Sequence, residues 1–120
     1  MAEHNDLGKK GEELARKDLI QKGFEILHHN WRYGNDEIDI IAEKDNMLII
    51  IEVKTRKSNL FAEPEESVTK TKQKFLVRAA NAYVQQKNIE NEVRFDIVTV
   101  LVSGSQFKIN HIEDAFYPVL

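Results

Sequence analysis

Residues 47–57 read MLIIIEVKTRK, and this stretch decides the fold. Leu48 to Ile51 are apolar at successive positions, so the segment has no polar face to give to water. Only a central strand covered on both sides suits it. The same strand ends in Glu52 and Lys54. Charges beside an interior are costly unless they are paired, metal-bound or used in chemistry.

Working outward, EIDIIAE (37–43) alternates and then turns fully apolar, and KDN (44–46) separates it from the central strand. Two such runs around a tight turn predict a β-hairpin. FEILHHNWRY (24–33) reads as a further strand, joined to the hairpin by GND (34–36). Upstream, Leu7, Gly11, Leu14, Ala15 and Leu19 recur at helical spacing over 6–23, with Asn5 or Asp6 as the cap and Gly23 as the stop. Downstream, the loop 56–67 contains Pro64, and a second helix is expected over about 68–88. Its apolar stripe comprises Phe75, Leu76, Ala79, Ala80, Ala82, Tyr83 and Val84. Strands over 93–103 and 106–112 follow, and DAFYPVL (114–120) reads as a short helical turn. The expected order is α-β-β-β-α-β-β: an α/β fold with one mixed sheet flanked by helices.

The 120 residues are within the usual size of one domain, 1–120, and 42% apolar residues supply a core. Cysteine is absent, which removes disulfides and thiolate metal sites. The polar N-terminus has no signal-peptide pattern, and the run Met47–Ile51 is far too short for a membrane helix. A cytoplasmic location without membrane partners is the expectation. Net charge is −3, yet seven Lys/Arg between Lys54 and Arg78 face three acids there, Glu63, Glu65 and Glu66. A local basic surface able to meet phosphates is compatible with that distribution, as are ordinary solvated helix faces.

The chemistry centres on three residues. Period-2 geometry puts Glu52 and Lys54 on one strand face, and antiparallel pairing brings Asp39 beside them. Two converging carboxylates form a hard oxygen site suited to Mg²⁺ or Mn²⁺. A neighbouring lysine can orient water or offset charge on a phosphate, as phosphodiester hydrolysis requires. The alternative is a salt-bridged pair at a strand mouth, since Glu-x-Lys alone is a common pattern.

With these residues in place, the chain resembles the PD-(D/E)xK superfamily, whose fold is restriction-endonuclease-like. The first acid corresponds to Asp39 and the second element to Glu52-Val53-Lys54. Closer still is the YraN-like, endonuclease-like family, with a similarity to archaeal Holliday junction resolvases. The matching blocks are GKKGEE (8–13), NWR (30–32), DEIDIIA (36–42), EVKTR (52–56), KTKQKFLVRAANAY (70–83), RFDIVTV (94–100) and HIEDAF (111–116). One departure is Asp36, where that family has glycine before Glu-Ile-Asp.

The resemblance implies a DNA endonuclease with catalytic Asp39, Glu52 and Lys54, and with Mg²⁺ or Mn²⁺ on Asp39 and Glu52. It adds Glu12 as a supporting carboxylate, and Arg56 and Lys72 as contacts to DNA phosphates. Branched or single-stranded DNA is the implied substrate, and the resolvase likeness implies a homodimer. The alternative is a catalytically silent nucleic-acid-binding or scaffolding module on the same fold. Lys70, Lys74 and Arg78 are further phosphate candidates. Trp31 and Tyr33 are candidates for base stacking, with core packing the alternative fate of Trp31. His4, His28, His29 and His111 read as structural or solvated, with His4 on a disordered tail.

Overall fold

In the computed structural model, residues 2–64 and 67–118 are described, with side chains from Asp6 onward. The elements are α1 (Ala2–Gln21), β1 (Glu25–Tyr33), β2 (Asp36–Lys44), β3 (Met47–Lys57), α2 (Lys70–Lys87), β4 (Glu92–Ser103) and β5 (Gln106–Phe116). They form one five-stranded sheet in the order β1-β2-β3-β4-β5. The β3–β4 pair is parallel, with α2 as its crossover, and the other pairs are antiparallel. The mixed sheet and the element order are those the sequence predicts.

β3 is the middle strand, with Leu48 to Ile51 at most 2% exposed. The two helices cover opposite faces. Ala15 and Leu19 of α1 pack on Ile40, Ala42, Ile49, Ile51, Val98 and Val100. Leu76, Ala79, Ala80 and Tyr83 of α2 pack on Ile38, Ile41, Leu48, Ile50, Phe95 and Ile97. Burying apolar area on both faces of β3 accounts for its unbroken apolar run.

The turns obey local chemistry. Asp45 and Asn46 both hold positive φ, 52° and 64°, as a two-residue hairpin turn between antiparallel strands requires. Gly23 (φ 95°) ends α1, while Phe24 N–H donates to Leu19 O at 3.0 Å. Thr69 caps α2 by accepting from Lys72 N–H at 3.1 Å, and Asn88 closes it in the left-handed region.

Gly11 is required for close approach. A methyl group there would overlap the Thr55 hydroxyl and lie 2.6 Å from that side chain's two carbons. Helix α1 therefore rests its backbone directly on β3, one residue beyond Lys54.

Four expectations need correction. Helix α1 starts at Ala2, so the backbones of His4, Asn5 and Asp6 lie inside it, not in a tail or at a cap; the His4 and Asn5 side chains fall outside the described residues. Phe75 is 40% exposed and leaves the apolar stripe, because the buried face of α2 is narrower than the stripe. Residues 114–116 extend β5 instead of turning into helix, since Phe116 pairs with Phe95 across the sheet. Lastly, β3 continues to Lys57, held in register by β4, so Arg56 belongs to the strand and not the loop. Among the described residues, no helix is long and apolar enough to cross a membrane.

Candidate functional site

The site is built where the sheet loses its regular pleat. Ile38 belongs to the α2-side core and Ile40 to the α1-side core, although they are two residues apart. Regular alternation would put both on the same face, so the pleat is interrupted at Asp39. The neighbouring strand does the same. Trp31 and His28, three residues apart, both meet the Tyr83 ring, and Asn30 between them has φ 53°. Asn30 and Asp39 lie opposite each other, between the pairs His29↔Ile40 and Trp31↔Ile38.

The β2–β3 ladder also ends here, at Ile40↔Ile51. In its place the Asp39 side chain bonds the next strand, with Val53 N–H donating to Oδ2 at 2.8 Å. That bond turns the Asp39 carboxyl toward β3. Val53 packs with the α1-side core, so Glu52 and Lys54 point to the α2 side. Lys72 comes down from the first turn of α2, its Nζ 3.8 Å from Glu52 Oε2. Asp39, Glu52, Lys54 and Lys72 are thus drawn together from β2, β3 and α2.

The electrostatics of this pair are unfavourable as they stand. Burial lifts the Asp39 carboxyl to about 8, with the Glu52 charge adding to the rise and the Val53 N–H only partly opposing it. Burial also raises Glu52, against the pull of Lys72 and Lys54. A proton on Asp39 is within hydrogen-bonding reach of Glu52. With both groups ionised neither can donate, and Glu52 Oε1 is then buried without any donor. A desolvated carboxylate oxygen lacking a partner costs roughly 1–3 kcal/mol or more.

Glu12 stands at the rim. It follows Gly11 on α1, and its Oε1 accepts from Asn30 Nδ2 at 2.8 Å. Its charge raises both Asp39 and Glu52, so it adds negative potential without joining the pair directly. Among the described residues no group of three or more His, Asp or Glu side chains is close enough to hold an ion together. A cation here would have two protein carboxylates and otherwise water or substrate oxygens, the coordination Mg²⁺ favours. Arg56 continues the Glu52–Lys54 face of β3 and is exposed. It lies beyond the cluster.

The model of the uncharacterised protein family UPF0102 matches residues 11–100. The chain belongs to UPF0102. It is 53% identical over 120 residues to a UPF0102 protein of Bacteroides thetaiotaomicron, covering 100% of this chain and 99% of that one. It is 51% identical over 117 residues to the Flavobacterium psychrophilum protein FP2501, covering 98% of each chain.

Two features of this UPF0102 protein escaped sequence reasoning. Asn30, in the block NWR, both breaks the pleat opposite Asp39 and anchors Glu12; the only signal was asparagine's tolerance of positive φ. The second is Asp96, in the block RFD. Its side chain is fully buried and accepts from Arg94 Nε and Nη2 at 2.8 and 2.9 Å and from Asp114 N–H at 2.9 Å. His111 Nε2 lies 2.8 Å from the same carboxylate. Burial pushes Asp96 up, but His111, Arg94 and the Asp114 amide together hold it below the ordinary range. His111 is structural, and this network ties β4 to β5. His28 packs on Tyr83, while His29 is exposed beside Asn30.

Proposed function

We propose that this protein is a metal-dependent nuclease that hydrolyses phosphodiester bonds in DNA, branched or single-stranded. One observation carries the reading: the Asp39 and Glu52 carboxyls are largely buried against each other, and once both are ionised Glu52 Oε1 has no protein donor. A purely structural ion pair would satisfy its oxygens, whereas a hard cation supplies what is missing.

Asp39 and Glu52 would hold Mg²⁺ or Mn²⁺, which when bound polarises a phosphate and promotes attack by water. The remaining roles fall to the chain itself. Val53 N–H fixes the Asp39 carboxyl on one side. Lys54, on the Glu52 face, would orient the attacking water or offset charge developing on the phosphate. Glu12, held by Asn30, would sustain the negative potential that draws the cation in. Lys72 would move from Glu52 to a DNA phosphate on binding, and Arg56 would meet the backbone beyond Lys54. The resolvase likeness makes a homodimer the expected assembly.

The test is incubation of purified protein with Mg²⁺ or Mn²⁺ and linear, flapped and four-way-junction DNA, with a chelator control. Metal-dependent cleavage, abolished in Asp39→Ala and Lys54→Ala, is expected. Cleavage that survives both substitutions refutes the assignment. Binding without cleavage, weakened by salt and by Lys72→Ala, identifies the silent nucleic-acid-binding module instead; the existing Lys72–Glu52 ion pair is the feature that favours that second reading.

A further inference from the structure

At the end of the β1–β2 hairpin a hollow of about 260 Å³ opens against α2, lined by Tyr33, Arg78, Asn81, Ala82, Gln85 and Gln86. It lies outside the carboxylate cluster. We propose that it takes one unpaired nucleobase of a polynucleotide strand. This rests on the reading of DNA as the substrate and names the feature that marks the strand.

The hollow has an aromatic wall. Tyr33 is 43% exposed and parallel to Trp31, with an interplanar angle of 3° and centroids 6.5 Å apart. Trp31 is in turn set edge-on against Tyr83 at 5.2 Å. Tyr33 is therefore a backed ring with free surface, the arrangement on which a base stacks.

The opposite wall is polar in a particular way. Asn81, Gln85 and Gln86 bring amides, each with donors and an acceptor, the set that pairs with base edges. Gln85 Nε2 to Asn81 Oδ1, at 3.5 Å, is too long to be a strong competitor. Arg78 is fixed between them and the hairpin. Its Nε and Nη2 bind Asp36 at 2.9 and 3.1 Å, and its guanidinium lies 5.0 Å over Phe75. Asp36 is the residue that replaces the expected glycine, and holding Arg78 is what it does here.

Size and position agree with a single base. The volume falls just below the roughly 300–1,000 Å³ of sites for larger ligands, so one ring system fits and a base pair does not. A wider hollow of about 930 Å³ shares Arg78 and Asn81 and carries Lys70 and Lys74, so a strand leaving the first hollow meets cations. Asp36, paired with Tyr33, precedes Asp39 by three residues, or about 10 Å of strand. That is about three stacked nucleotides, and fewer in an extended strand. Substrates with an unpaired base near the cut are selected, because an intact duplex must first unstack.

Trp31 is the only tryptophan, so its fluorescence reports the site without any cleavage. The full-length protein is titrated, in excess chelator, with a short oligothymidylate, an abasic strand of the same length, and thymidine monophosphate. Quenching by oligothymidylate with about tenfold tighter binding than the abasic strand is expected. Tyr33→Ala and Gln86→Ala remove that preference, and Tyr33→Phe keeps it; both positions are exposed, and unchanged melting verifies folding. Equal binding of the two strands, or a preference that survives Tyr33→Ala, overturns the proposal. Quenching by the mononucleotide with no gain for the strand also overturns it, assigning the hollow to a free nucleotide. Since no metal is present, loss of the base preference in a protein that still cuts DNA refutes this site alone. A base preference in a protein that never cuts refutes only the nuclease reading.

Discussion

Replacing Asp39 by asparagine removes one of two buried charges while keeping the oxygen that accepts from Val53 N–H at 2.8 Å. The asparagine amide also offers Glu52 a donor at pH values where Asp39 has lost its proton and Glu52 Oε1 has none. In metal-free protein this substitution is stabilising, and its size depends on pH. Asp39 is raised from 3.8 to about 8, so between these values the folded state holds a proton that the unfolded state has released. Stability of the wild type then falls as pH rises, by about 1.4 kcal/mol per unit. The penalty is absent below pH ~4 and complete above about 8, with a ceiling on the order of 6 kcal/mol. Glu52 shares the burden and Lys72 offsets part of it, so we expect about 2 kcal/mol in favour of Asp39→Asn at pH ~8.5. For a chain of 120 residues this is roughly 8 °C in Tm, from about 4 °C per kcal/mol. At pH ~4.5 the two proteins melt together. The assay is thermal unfolding followed by circular dichroism in excess chelator, repeated with Mn²⁺. At about 100 times its Kd, Mn²⁺ raises wild-type stability by about 2.7 kcal/mol, and Asp39→Asn forfeits this gain. A variant no more stable than wild type at high pH, or equally stabilised at both pH values, refutes the reasoning.

Three further outcomes follow from the packing. Gly11→Ala forces α1 away from Thr55 and costs about 2 kcal/mol in urea unfolding; Thr55→Ala in the same chain restores part of the loss. Lys72→Ala removes the Glu52 partner at 3.8 Å, which costs about 1 kcal/mol at neutral pH and raises the Glu52 titration further, as measured by carboxyl NMR. Asp96→Ala takes the fully buried carboxylate away from half-buried Arg94, which keeps Glu113 at 3.7 Å, and costs about 2–3 kcal/mol at pH 7. Because Asp96 is held low, its contribution exists above the ordinary aspartate range and fades as pH falls through its folded value. The Asp96→Ala penalty therefore shrinks in urea unfolding at pH ~3.

Much of this protein was legible in its sequence, because strand and helix faces are local properties. The run Leu48–Ile51 required a strand buried on both sides, and period-2 spacing put Glu52 and Lys54 together ahead of any coordinates. The hairpin turn at Asp45–Asn46 then set Asp39 within reach of them. These features depend on the covalent chain and on residues a few positions apart.

Other features belong to the tertiary structure. Sequence spacing placed Ile38 and Ile40 on one face, but the paired interruption at Asp39 and Asn30 puts them on opposite faces and frees the Asp39 carboxyl to bond across to Val53. That Lys72 points inward to Glu52 while Lys70 and Lys74 face outward follows from how α2 lies on the sheet. The Asp96–Arg94–His111 network joins strands whose register is set by β4 and β5 pairing. A single sequence carries periodicity, which fixes faces; convergence of charges from different elements depends on desolvation and packing, which exist only once the sheet and both helices are assembled.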